Sequence, residues 1–231
     1  PNHYAIRYKV ACFVYLVLLG NLVFAYYSHA QISVDRVLVY FEAGGRPVQN
    51  VIVRNGGADA LGVEIEPEIV EMPGTSDEKR VPTELLLASP KRISLPAGGE
   101  RTVRLLLNKQ ATDQDLVFRV KLSPKLEGFG SEKDKSSSTQ ETKIKVITTV
   151  GLLVFGYPPK PEPKLIWTRT DNEVLFRNEG NTYVFLDQGK ICDKAETKCE
   201  SVVGTRLYSG NQWSVKVPRD KKVFFRQQSF K

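Results

Sequence analysis

The stretch KIKVITTVGLLVF, Lys143–Phe155, decides how the rest of this chain is interpreted. Its apolar side chains alternate along one face of an extended strand, and toward its end they occupy the other face as well. The first face is formed by Ile144, Val146, Thr148, Val150, Leu152 and Val154, and the second by Ile147, Leu153 and Phe155. One apolar face can pack on the chain's own core, whereas the second needs another cover. The pattern therefore predicts a strand that is offered to a partner.

The segments on either side of this stretch predict how the chain is divided. Residues 127–142 are polar and charged, with too few apolar side chains to pack, which predicts a mobile loop. Four prolines within residues 158–164 predict a stiff, extended connector between domains. Strand-sized segments separated by turn residues recur throughout, without helical periodicity. We therefore predict an all-β protein with two immunoglobulin-like β-sandwich domains, residues 31–157 and 165–231, joined at an angle in an L or boomerang shape.

Residues 1–30 have the features of a signal peptide. Arg7 and Lys9 precede the apolar run Val10–Tyr27, and Ser28-His29-Ala30 is a small-x-small cleavage site. The alternative is an uncleaved anchor, since about 18 apolar residues approach the roughly 20 that span a bilayer. The cleavage site favours export with removal of this segment.

Removing residues 1–30 narrows the chemistry that the chain could perform. Both histidines, His3 and His29, and one of the three cysteines, Cys12, lie in the removed segment. The remainder has no histidine for a general base, a Ser-His-Asp triad or a His-rich metal site. It also offers no pair of acidic residues in an aromatic-lined stretch, which argues against a carboxylate-based hydrolase. We expect a protein that is not an enzyme and that uses no cofactor or metal.

The two remaining cysteines and the charge balance also argue against a redox or zinc site and against nucleic-acid binding. In an exported chain, Cys192 and Cys199 predict one disulfide that closes a hairpin. A redox or zinc pair is the alternative, but the spacing is not C-x-x-C and two thiolates do not complete a zinc site. Loss of Arg7 and Lys9 lowers the net charge from +7 to +5. Because both signs are mixed along the chain, no nucleic-acid groove is expected.

Three local patterns make further predictions about the first domain. The alternation within Ile32–Phe41 changes phase near Arg36, which indicates a bulge or a strand that moves between two sheets. Met72–Pro82 has the composition of a polar loop. Leu116–Leu122 alternates as a strand, and Pro124 is expected to end it.

Four segments together resemble a known family. They are ISVDR at Ile32–Arg36, LASPKRISLPAGGERTVRL at Leu87–Leu105, FRV at Phe118–Val120 and NEGN at Asn178–Asn181. With the polar loop, the long strand and the proline run, they are similar to the periplasmic pilus-assembly chaperones of the chaperone–usher pathway, the PapD-like superfamily. The resemblance covers essentially the whole chain after residue 30.

The resemblance implies a function, a location and partners. Such a chaperone in the periplasm binds pilus subunits by donor-strand complementation, in which its strand fills a groove in the subunit, and delivers them to an outer-membrane usher. It would use no cofactor, and the free protein could cap itself as a homodimer. The implied subunit-binding positions are Ile144, Val146, Thr148 and Val150. A register shift of one residue would replace the first three by Lys145, Ile147 and Thr149.

The chain departs from the family pattern at the positions that hold the subunit's terminal carboxylate. The resemblance implies basic residues at 38 and 153, but these are Leu38 and Leu153, which cannot pair with a carboxylate. With the disulfide, this resembles the alternative or archaic, non-classical branch. The nearest candidate anchors are Arg36, Arg104 and Arg119. The alternative function is an exported pilus subunit or an immunoglobulin-like surface adhesin.

Overall fold

The structure, a computed structural model, describes residues 32–111, 113–126 and 148–229. Within these ranges every regular element is a β-strand, and none is a helix long and apolar enough to cross a membrane. The predicted signal peptide, the predicted loop at residues 127–142, and Ile144 and Val146 of the predicted subunit-binding strand lie outside the described residues.

The first ten strands form a β-sandwich. They are β1 (Ile32–Val34), β2 (Leu38–Phe41), β3 (Val48–Asn55), β4 (Leu61–Glu71), β5 (Lys79–Pro82), β6 (Leu86–Ser89), β7 (Arg92–Leu95), β8 (Glu100–Leu107), β9 (Leu116–Leu126) and β10 (Val150–Gly156). One sheet has the order β1-β3-β8-β6, and the other has the order β2-β10-β9-β4-β5, with β7 also paired to β4. Alternate side chains of both sheets, such as Val53, Leu105, Phe118 and Val154, meet in one buried core.

The phase change near Arg36 marks a strand that moves between the two sheets. β1 pairs antiparallel with β3 in one sheet, and β2 pairs parallel with β10 in the other. The corner between them is held by Asp35, whose backbone N donates to the Ile52 carbonyl and whose carboxylate accepts from the Ile52 N–H. Ile32 and Phe41 consequently both reach the core, although they belong to opposite sheets.

The last seven strands form a second sandwich. They are β11 (Leu165–Arg169), β12 (Glu173–Asn178), β13 (Val184–Asp193), β14 (Cys199–Val202), β15 (Thr205–Leu207), β16 (Gln212–Lys216) and β17 (Lys221–Ser229). One sheet has the order β11-β12-β16, and in the other β13 lies between β17 on one side and β14 and β15 on the other. The predicted disulfide joins Cys192 and Cys199, which are directly opposed across β13 and β14. The all-β fold class with two sandwiches is confirmed.

Two local predictions in the first sandwich are wrong. Met72–Pro82 is not loop throughout, because β5 occupies its last four residues and pairs with β4. Pro124 does not end β9, which continues to Leu126 beside β4. The backbone groups of even-numbered β9 residues face β10, whose pairing stops at Leu122. The N–H that Pro124 lacks would therefore point to a side where no described strand needs it.

Candidate partner-binding site

β10 is paired on both sides over only half of its length. Its whole span, Val150–Gly156, runs antiparallel to β9, whereas β2 accompanies it only over Leu153–Gly156. Among the described residues, no strand lies beside Val150–Leu152 on the β2 side. We call Val150–Leu152 the open half of β10 and Leu153–Gly156 the closed half. The open half presents an unpaired strand edge, which is the feature that a partner strand can extend.

The direction of the backbone groups on this edge follows from the bonds of the closed half. Leu153 N donates to the Val37 carbonyl at 2.8 Å, and Tyr157 N donates to the Phe41 carbonyl at 2.9 Å. Since backbone groups of alternate residues point the same way, the N–H and C=O of Gly151 face the open edge. A Cβ at Gly151 would meet no atom within 4 Å, so the face of the sheet over Gly151 is open.

The structure describes two of the four predicted subunit-binding residues. Thr148 is exposed and precedes the strand, and Val150 is half-buried at the margin of the first core. Leu152 and Val154, which follow on the same face, are fully buried in that core. The apolar face that is predicted to enter a partner is therefore continuous with the face that holds the first sandwich together.

The second apolar face of β10 is not available to a partner, which corrects the sequence-based interpretation of Leu153 and Phe155. Both side chains are buried against Tyr183 and Tyr208 of the second sandwich. Their cover is thus supplied by the same chain. The local pattern of alternation shows that a face needs a cover, but it carries no information on which distant segment provides it.

Phe155 stands at the centre of an aromatic cluster between the sandwiches. Its ring centroid lies 4.5 Å from that of Tyr183, 5.7 Å from that of Tyr40 and 6.3 Å from those of Tyr157 and Tyr208. Tyr157 Oη donates to Tyr183 Oη at 3.4 Å, which donates to Tyr40 Oη at 3.5 Å. Burial raises the pKa of Tyr40 to about 12, and burial also raises the pKa of Tyr157. The Tyr40 and Tyr157 hydroxyls therefore stay protonated.

Asp115 ties the first sandwich to the second beside this cluster. Its backbone N donates to the Asn181 carbonyl at 3.0 Å, and its Oδ2 accepts from Thr182 Oγ1 at 2.9 Å and from Tyr183 N at 2.8 Å. Its Oδ1 is buried and has no hydrogen-bond partner among the residues that the structure describes. Burial raises the pKa of this carboxyl to about 6, although the bonds from Tyr183 and Thr182 act in the opposite direction.

A cavity of about 720 Å³ opens between the outer faces of the two sandwiches. Leu38, Tyr40 and Glu42 line it from the first sandwich. Phe185, Arg206 and Arg226 line it from the second. Leu38 also begins β2, so this cavity adjoins the point at which the open half of β10 becomes the closed half.

The two leucines that stand where the family resemblance implies basic residues are neighbours in the structure. Leu38 and Leu153 are register partners across β2 and β10. Leu38 is 37% exposed, whereas Leu153 is 5% exposed and packs in the aromatic cluster. The positions therefore adjoin, as a shared anchor would require, but their side chains supply no charge to it.

The structure does not bring the three predicted anchor candidates together. Arg36 is exposed, pairs with Asp35 at 2.9 Å and lies just before β2. Arg119 is half-buried on β9, directly opposite Leu153. Arg104 is exposed on β8, which belongs to the other sheet. The residues before and after it in the strand are buried in the core, so its side chain lies on the outer face. Arg36 and Arg119 thus adjoin the β10 sheet, whereas Arg104 points from the opposite face of the sandwich.

Sequence reasoning missed Arg206, the basic residue that the second sandwich contributes to the cavity. Its guanidinium carbon lies 4.9 Å from the ring centroid of Tyr183 and 5.3 Å from those of Phe155 and Phe185. Sequence alone places Arg206 in an ordinary short strand. Only its pairing opposite Phe185 and the approach of Phe155 from the first sandwich distinguish it from a surface arginine.

The fold is that of solved pilus chaperones. The class 5 fimbriae chaperone CfaA is 17% identical with a TM-score of 0.62, covering 85% of this chain and 92% of its own. A chain of the Salmonella enterica SafA pilin–SafB chaperone complex is 13% identical with a TM-score of 0.62, covering 87% and 91%. The YadV chaperone is 16% identical with a TM-score of 0.60, covering 85% and 92%.

Sequence comparison gives a weaker likeness. A CS1 fimbrial subunit of Escherichia coli is 23% identical over 187 residues, which are 76% of this chain and 77% of that protein. No protein-family model matches the chain. The structural comparison thus shows the fold, and the CfaA, SafB and CS1 relatives carry fimbrial or pilin names.

Proposed function

We propose that this protein is a periplasmic chaperone of the chaperone–usher pathway, which holds pilus subunits by donor-strand complementation and delivers them to an outer-membrane usher. The observation that carries the proposal is the open half of β10, whose Gly151 backbone groups face an edge that no other described strand pairs with. The likeness of the fold to solved pilus chaperones supports it.

The proposed mechanism uses the backbone and the core face of the same strand. A subunit strand pairs with the edge at Gly151, and alternate apolar side chains, Val150 with Ile144 and Val146 before it, fill the groove of the incomplete subunit. Burying three aliphatic side chains contributes roughly 5–8 kcal/mol before the costs of ordering. Holding and releasing a subunit in this way needs no turnover chemistry.

The second candidate is an exported structural subunit, which the name of the Escherichia coli relative favours. A subunit of this kind has an incomplete sandwich and polymerises by exchanging a strand. The chain instead has two sandwiches with their own buried cores, and its open edge extends over only half of one strand. These features favour the chaperone.

Two substitutions at Gly151 test the open edge. The Gly151→Pro protein lacks the N–H that would pair with a subunit, while losing no bond to β9, because that N–H faces away from β9. The Gly151→Ala protein keeps the N–H, and its added methyl group enters open space. We expect Gly151→Pro to capture at least about tenfold less of a small exported fimbrial subunit from a periplasmic extract of the native host, with Gly151→Ala unchanged.

The outcomes separate the proposals. Circular dichroism and thermal unfolding of both variants establish that they are folded. Equal capture by both variants would show that the edge is not the binding site. Isolation of the protein in ladders of its own chain, without a second protein, would instead support the structural subunit.

A further inference from the structure

The second sandwich is open along one flank, between β11 and β17. β11 pairs only with β12, and β17 pairs only with β13. Each is therefore the last described strand of its sheet on this side, and no backbone ladder among the described residues joins the two sheets across the gap.

Trp167 shows that this flank lacks a cover. It is the register partner of Phe176, and directly opposed residues of an antiparallel pair lie on the same face of a sheet. Phe176 is 7% exposed in the core, whereas Trp167 is 63% exposed. The indole thus lies on the core face of its sheet, at a position that the opposite sheet does not reach.

A groove of about 490 Å³ occupies this gap. Its volume is within the range of small-molecule sites, between about 300 and 1,000 Å³. All of the residues that line it belong to the second sandwich. They are apolar, as Trp167 and Phe225 are, with the exceptions of Arg169, Lys222 and Gln227. An apolar lining with few polar groups is typical of a site for a mainly apolar ligand.

Arg169, the last residue of β11, places an available positive charge at one end of the groove. Its Nη2 donates to the carbonyls of Pro218 and Lys221, at 2.9 Å each, which holds the guanidinium between the two strands. Both bonds come from one nitrogen, so its Nε and Nη1 have no acceptor among the residues that the structure describes.

The other charged groups do not offset Arg169. Lys222 also lines the groove, but its Nζ donates to Glu196 Oε1 at 2.7 Å. No acidic side chain in the described part of the chain lines the groove. The groove therefore combines an apolar body with one cation that has two free donors, which complements an anion carried on an apolar chain.

We propose that this groove binds a single-chain anionic amphiphile of the fatty-acid class, with its alkyl chain along Trp167 and Phe225 and its carboxylate at Arg169. Leu165–Arg169 extends over about 13 Å, which accommodates a medium-length alkyl chain. The chain covers the exposed indole, and the carboxylate accepts from the Nε and Nη1 donors. The site does not rest on the proposed function, because it uses neither β10 nor the cavity between the sandwiches.

The test compares three probes with the same alkyl chain and different head-group charges, namely decanoate, decanol and decylamine. Each is titrated into the whole protein at neutral pH, below its micellar concentration. The indole N–H signal of Trp167, assigned by its loss in Trp167→Phe, is followed by ¹⁵N NMR. We expect a saturable shift with decanoate, binding of decanol that is at least about tenfold weaker, and no saturable shift with decylamine.

Arg169→Gln and Arg177→Gln are matched variants, because each removes one positive charge from the same sheet. Arg177 is exposed, and its neighbours in β12, Phe176 and Asn178, are buried, so its side chain lies on the outer face. We expect Arg169→Gln to weaken decanoate binding at least about tenfold and Arg177→Gln to leave it within about twofold. Thermal unfolding establishes that the variants are folded.

The comparison of the three probes on the unchanged protein decides the matter even if a variant does not fold. Equal binding of the three probes, or equal losses in the two variants, would show an apolar surface without a site for the anion and would overturn the proposal. No shift with decanoate would also overturn it, and would leave the groove to a polypeptide strand paired with the edge of β11.

Discussion

The closed and open halves of β10 share their pairing with β9 and one core face, but they differ on the β2 side and on the second face. Leu153–Gly156 has a strand on each side and a core on each face, and Val154 and Phe155 are inaccessible to solvent. Within the part of the chain that the structure describes, Val150–Leu152 has one neighbouring strand, and Gly151 is exposed on the outer face. A single strand thus has a second buried face at one end and, among the described residues, an unpaired edge at the other. Substitutions in the two halves should therefore separate folding from binding.

The largest expected effect is on stability, from Phe155→Ala in the closed half. Phe155 is fully buried and contacts rings from both sandwiches, so truncation leaves a cavity that those rings cannot readily fill. We expect the free energy of unfolding to fall by about 3–5 kcal/mol, measured by equilibrium urea denaturation. Phe224→Ala is the matched control, because Phe224 is 42% exposed, and it should cost about 1 kcal/mol or less. Similar losses in the two variants would contradict the central role of Phe155.

The next effect is a pH dependence that arises beside the closed half, at Asp115. Burial raises the pKa of its carboxyl from 3.8 to about 6 in the folded protein. A raised carboxyl pKa means that the charged form destabilises the folded state, so stability should increase as the pH falls through 6 and level off below 4. The full change is on the order of 2–3 kcal/mol, from about 1.4 kcal/mol per pKa unit.

The Asp115→Asn variant isolates this contribution. Asparagine keeps an oxygen that accepts from Thr182 and Tyr183 but carries no charge, so we expect the stability increase below pH 7 to diminish by that amount. Urea denaturation of both proteins between pH 4 and pH 8 measures it. Parallel stability curves for the two proteins would show that Asp115 ionises as it does in the unfolded chain.

Features of the fold that depend on neighbouring residues were predictable from the sequence. The phase change near Arg36 was visible because side chains alternate with a period of two along a strand. The Cys192–Cys199 bridge was visible because two cysteines in an exported chain have few other uses. The alternation of apolar residues predicts one face of this strand that can pack on the chain's own core, and Leu152 and Val154 on the first face lie in that core.

Features that depend on distant pairing were not predictable. Whether Pro124 ends β9 depends on which side its missing N–H faces, and that is set by the register with β10. The cover of Phe155 and the ring contacts of Arg206 depend on how the second sandwich meets the first. The candidate site is therefore known from sequence only along β10, and the cavity beside it became visible from the tertiary structure.

The smallest effect on stability is expected in the open half, and it sharpens the comparison most. Val150→Ala removes two methyl groups from a half-buried side chain at the margin of the core, so we expect a loss of about 1 kcal/mol or less. Val154→Ala removes the same groups from a fully buried position and should cost about 2–3 kcal/mol. Capture of the subunit should respond in the reverse order when both proteins are compared at a temperature where each is folded. If Val150→Ala captures as much subunit as the unchanged protein, the open half contributes only its backbone to the partner, and side-chain recognition begins earlier in the chain.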